Sequence, residues 1–114
     1  MTAAIDPETF AMLRDTTGSD FVRELIDTFL QEAPGMLSEL QASLSAMDAD
    51  RFRRAAHSLK SNGNTFGALA LGGLARDLEV AGVDAAAARG PAALASVQAE
   101  YARVADALRA LRDE

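Results

Sequence analysis

The sequence contains no cysteine and no tryptophan, one histidine (His57), one lysine (Lys60) and three prolines. Without cysteine the chain can form neither a disulfide nor a thiolate metal site. A lone histidine likewise excludes a multi-histidine metal centre, so no metal is expected in this chain. Strand formers are scarce: five valines and two isoleucines stand against 25 alanines and 14 leucines, which makes an all-α fold the expectation. The longest uncharged apolar stretch, Phe66 to Ala75, falls far below the ~20 residues of a membrane span, and no basic segment leads into an apolar one at the N-terminus. A cytoplasmic protein that does not enter a membrane is expected. Positive charge is the minority, with 11 basic against 17 acidic side chains and a net charge of -6, which argues against nucleic-acid binding. At 114 residues there is chain for a single domain spanning 1–114.

What the sequence does have is helical periodicity, cut by polar caps, Gly and Pro. Asp6 and Pro7 suit the start of a short first helix, which buries Ile5, Phe10 and Leu13 and ends at Thr16, Thr17 and Gly18. From Ser19, the residues Phe21, Val22, Leu25, Ile26, Phe29, Leu30, Ala33, Leu37, Leu40, Leu44 and Met47 recur at threes and fours, with a kink expected at Pro34. Asp48 to Asp50 supply a turn and cap. A third helix follows with Phe52, Ala55, Ala56, Leu59, Gly63 and Phe66 inward. A fourth runs from Ala68 to Ala81 and is expected to stop at Gly82 in a left-handed cap. The last opens at Pro91 and carries the seam Leu94, Val97, Tyr101, Val104, Leu108 and Leu111. Four long amphipathic helices joined by short turns predict an antiparallel four-helix bundle, with the short N-terminal helix as an addition.

One group of residues carries chemistry. His57 and Lys60 stand three apart on the third helix, so their side chains are neighbours. With the apolar line set at zero, His57 falls at about 140°, Lys60 at about 80°, Arg53 at about 100°, Asn64 at about 120° and Ser61 at about 180°, all away from the core. A solvated imidazole keeps a neutral, nucleophilic fraction near neutral pH. No carboxylate stands one helical turn from His57, so Ser61 at i+4 is not joined by the third member that a hydrolytic triad needs. The neighbours are cations: residues 51–76 hold Arg51, Arg53, Arg54, Lys60 and Arg76 without an acid, whereas the first 50 residues hold ten acids and two bases. That patch suits a group bearing about two negative charges, such as a phosphoryl. Ser61, Gly63, Asn64 and Gly67 keep the surroundings small, which suits close approach by another protein. The same residues fit a plain solvated helix face, with Gly63 merely admitting a neighbouring helix.

The run Ala56-His57-Ser58-Leu59-Lys60-Ser61-Asn62-Gly63-Asn64-Thr65-Phe66-Gly67-Ala68 resembles the signature of histidine-containing phosphotransfer (HPt) domains. In that family a phosphorylatable His is followed by Leu at two, Lys at three and Gly-Ala at ten and eleven. Ser61 departs from the pattern, since many members have Gly after the Lys. Leu74, Leu78 and Glu79 are similar to the Leu and Leu-Glu pattern of the family's next helix. The resemblance covers the whole layout, a four-helix bundle with a short leading helix.

The resemblance implies that His57 takes a phosphoryl group from a receiver-domain aspartate or a sensor kinase and passes it to another receiver. Lys60 would steady the phosphoryl, with Arg53, Ser61, Asn64 and Gly67 flanking the site or touching the partner. The chain is then a carrier with no kinase activity or cofactor of its own, and Mg²⁺ is expected on the partner receiver. Two other readings stay open. One is a helical interaction or dimerisation module whose last segment, Leu94 to Leu111, seeks a partner helix. The other is a bundle belonging to a longer sensor kinase; nothing here resembles an ATP-binding loop.

Overall fold

The computed structural model describes residues 3–114, and the described chain is helical throughout, without strands. Asp6 caps α1 (Pro7–Thr17): the Thr9 backbone N–H donates to its Oδ2 at 3.0 Å and the Thr9 hydroxyl at 2.6 Å, with Pro7 in the first turn. Gly18, at φ 90°, separates α1 from α2 (Ser19–Ser45), which continues through Pro34 as one helix. Asp48 caps α3 (Ala49–Thr65) by accepting the Arg51 N–H at 3.2 Å. α4 (Leu69–Ala88) and α5 (Ala92–Arg112) complete the bundle. Neighbours run antiparallel: Arg112 near the end of α5 meets Asp27 near the start of α2 at 2.9 Å, and His57 of α3 meets Glu79 of α4, whereas Asn64 lies over Gly72.

Ile26, Leu40, Phe52, Leu59, Leu71 and Leu108 are fully buried at the centre. Phe29 packs against both Phe66, with ring centroids 5.4 Å apart, and Tyr101, at 6.0 Å. α3 and α4 share the most extensive contact of any helix pair. Their facing residues are small, namely Ala56, Gly63, Ala68, Gly72 and Ala75, so the backbones approach closely.

The expected stop at Gly82 is present, since that residue leaves helical geometry (φ 83°, ψ 173°); what was not expected is a second helical stretch beyond it to Ala88, anchored by buried Val83 and Ala86. Two sequence expectations change. Phe21 and Met47, placed on the buried face of the second helix by their spacing, are half exposed. Met47 lies beyond the last turn of α2, at φ 54°. There Met47 N–H donates to Leu44 O at 3.1 Å and Asp48 N–H to Ser43 O at 2.9 Å, a Schellman closure with methionine where glycine is usual.

α3 ends in the same closure with Gly67 at φ 85°: Gly67 N–H donates to Asn64 O at 3.0 Å and Ala68 N–H to Gly63 O at 2.9 Å. Gly67 also carries α1, because its carbonyl accepts the Asp6 N–H at 2.8 Å and a Cβ there would fall 2.9 Å from Thr9 Cβ. Gly67→Ala therefore destabilises the fold by about 1–3 kcal/mol. Met47→Gly, in the equivalent position with no comparable crowding, stabilises it by up to ~1 kcal/mol. Urea unfolding of the two variants checks both signs.

Candidate functional site

His57 lies midway along α3, and its side chain is 57% exposed. Its Nδ1 stands 2.6 Å from Oε2 of Glu79, a residue of α4. Lys60, one helical turn on, donates from Nζ to the other oxygen, Oε1, at 2.7 Å. The Glu79 side chain is only 16% exposed, so one carboxylate is held between two helices with both oxygens engaged. The Lys60 hydrogen bond, then that of His57, hold the Glu79 carboxyl below its ordinary range, against a smaller opposing effect of burial. An ionised carboxylate only accepts, so the proton of the neutral imidazole is assigned to Nδ1. Nε2 keeps its lone pair and is the nitrogen left for chemistry.

The remaining expected site residues divide. Arg53 is exposed and pairs with Asp50 at 2.8 Å, and Arg54 joins the same carboxylate at 3.1 Å. Their charge holds Asp50 below its usual range through the Arg53 hydrogen bond and then the Arg54 charge. Ser61 is exposed and its carbonyl accepts the Thr65 hydroxyl at 3.0 Å. Asn64 is exposed, and its carboxamide occupies the space a Cβ on Gly72 would need, so it leans over α4. Gly67 is a correction: it is buried against α1, and the close approach that its small size permits is by Asp6 and Thr9 of this chain rather than by a partner. An open groove of about 490 Å³ between α2 and α3, lined by Glu32, Met36, Arg51, Arg54 and Ser58 among others, borders the histidine face without enclosing His57. The histidine is therefore presented on a surface, unlike a reacting group sunk in a substrate pocket.

Glu79 is the residue whose contact with His57 and Lys60 sequence reasoning passed over. Its place in a Leu-Glu pattern was visible, but no spacing rule within one helix reaches across the 22 residues from His57. The facing glycines Gly63 and Gly72 carried the usable signal, since they set the register that brings α4 onto α3. Among the described residues no group of three or more His, Asp or Glu side chains is placed to hold a metal ion.

A family model described as the Hpt domain matches residues 24–114. Among solved structures, the chain is similar to histidine-containing phosphotransfer protein B (HptB) from Pseudomonas aeruginosa PAO1, with a TM-score of 0.88 and 28% sequence identity over 99% of this chain and 97% of that one. Comparison with curated proteins yields no match. With the family model covering most of the bundle and a whole-length structural likeness beside it, the chain belongs to the Hpt domain family and works in histidine phosphotransfer within a two-component phosphorelay.

Proposed function

We propose that His57 is the residue that carries the phosphoryl group, bonded through Nε2, between the aspartate of one receiver domain, or a sensor kinase, and the aspartate of another. The observation that carries this reading is the 2.6 Å contact between His57 Nδ1 and Glu79 Oε2. In the forward step the Nε2 lone pair attacks the phosphorus of the partner's aspartyl phosphate. The N–P bond forms, the P–O bond to the aspartate breaks, and the aspartate leaves as a carboxylate. Positive charge develops on the ring as this happens, and the fixed Glu79 carboxylate faces it. Transfer onward is the reverse. Lys60 holds Glu79 in place with one of its three N–H donors, and the others are available to phosphoryl oxygens. Arg53, Ser61 and Asn64 rim the histidine face. Mg²⁺ belongs to the partner receiver, because positioning and charge neutralisation are what phosphoryl transfer demands and the carrier supplies the nucleophile.

The interaction-module alternative loses its main support. Leu94, Val97, Val104 and Leu108, the seam that was to recruit a partner helix, are buried in the chain's own core. No described helix is long and apolar enough to cross a membrane.

His57→Gln is expected to remain helical by circular dichroism yet take no label from a phosphorylated receiver; label retained on that variant contradicts the assignment. The native label is lost in acid and survives alkali, opposite to an acyl phosphate. Glu79→Ala slows labelling roughly 10-fold or more, as loss of a residue that orients a reacting imidazole does; an unchanged rate in a quench-flow assay removes its role. Glu79 also ties stability to pH. Its folded carboxyl titrates below the unfolded value of 4.5, so its contribution is complete above that pH and is lost as pH falls through the folded value. Melting temperatures measured between pH 7 and pH 3 should therefore fall less steeply in acid for Glu79→Gln than for the native protein.

A further inference from the structure

Of the five cations between residues 51 and 76, four have carboxylate partners: Arg51 with Glu39, Arg53 and Arg54 with Asp50, and Lys60 with Glu79. Arg76 has none among the described residues, and it is exposed. The one carboxylate within helical reach on its own element, Glu79 at i+3, already has one oxygen bonded to Lys60 and the other to His57.

Arg76 is nevertheless in the right place. α3 and α4 are antiparallel, His57 faces Glu79, and Asn64 lies over Gly72. Between those two contacts Lys60 and Arg76 fall level with each other. Arg76 is one turn before Glu79, about 4.5 Å along the axis, and it follows Gly72 by one turn on the same side of α4. It occupies the outer edge of that side, in a strip with Leu69 (54% exposed) and Val80 (74% exposed) that borders the histidine face.

Charge states what is missing. A phosphoryl on His57 adds about 1.5 to 2 negative charges beside a carboxylate. Lys60, the cation in contact there, is already balanced by Glu79. We infer that Arg76 is the cation that binds the phosphoryl oxygens once His57 is phosphorylated, its guanidinium swinging from solvent across the α3–α4 seam. A planar guanidinium offers two parallel N–H donors to a phosphoryl group, which an ammonium does not. In the unphosphorylated protein the side chain stays unpaired, so binding costs no existing ion pair. This assignment rests on His57 carrying the phosphoryl, as proposed above, and adds the residue that holds it.

The test uses phosphoramidate, a small donor with no docking surface: its P–N bond breaks, ammonia leaves, and the Nε2–P bond forms. The pH dependence of the phosphohistidine ³¹P shift is then recorded for the native protein, Arg76→Ala and Arg76→Lys. The charged groups around the phosphoryl are Glu79, Lys60 and Arg76, with Arg53, Arg54 and Asp50 one to two turns away along α3. Loss of an adjacent cation raises the phosphoryl ionisation midpoint, so Arg76→Ala should titrate about half a unit or more higher, and Arg76→Lys should recover part of the shift. An Arg76→Ala midpoint equal to the native one overturns the inference, including the case in which transfer from a receiver is slowed, since Arg76 would then serve docking alone. Absence of any histidine label in the native protein overturns the parent assignment of His57, and this one with it.

Discussion

A carboxylate fixed between two helices organises the functional face of this protein. Glu79 reaches from α4 to α3 and divides its two oxygens between an imidazole and an ammonium. That arrangement does three things at once. It assigns the proton of the neutral histidine to Nδ1, leaves Nε2 as the ring nitrogen that Glu79 does not engage, and keeps Lys60 beside the imidazole. Exposed surface ion pairs contribute little to stability, because water competes for them and long side chains lose freedom. Here the carboxylate is largely sheltered while the histidine is not, and its value lies in orientation.

The bundle's composition serves that contact. Alanine and glycine on the facing sides of α3 and α4 let the helix axes come close enough for a glutamate to span the seam. Glycine in a helix interior costs about 0.5–1 kcal/mol relative to alanine, a cost the sequence accepts at Gly63 and Gly72. The end of α3 is fixed in turn by Gly67, whose left-handed conformation closes the helix and whose carbonyl holds the start of α1. The short leading helix thus braces the turn from which α4 sets out toward Glu79.

Much of this was legible from residues alone. Periodicity located all five helices, the Asp6-Pro7 start and the Asp48 cap, because amphipathic spacing and capping are local properties. The exposure of His57 followed from the helical wheel. Interhelical facts were beyond such rules. Spacing within α3 could show that no carboxylate stood one turn from His57, but not that α4 would deliver one. Gly67 looked like room for a partner because a small residue near a site has two meanings, and only the packing of α1 selects between them. The restart beyond Gly82 was hidden for a similar reason, since glycine ends a helix locally while burial of Val83 and Ala86 resumes it.

The account depends on which ring nitrogen of His57 is free. A long-range ¹H–¹⁵N spectrum of the imidazole, recorded before and after phosphorylation, reads this directly. Nδ1 should carry the proton in the neutral ring, and phosphorus should couple to Nε2 in the phosphorylated one. A neutral ring protonated on Nε2, or a phosphoryl group bonded to Nδ1, would contradict the role given to Glu79.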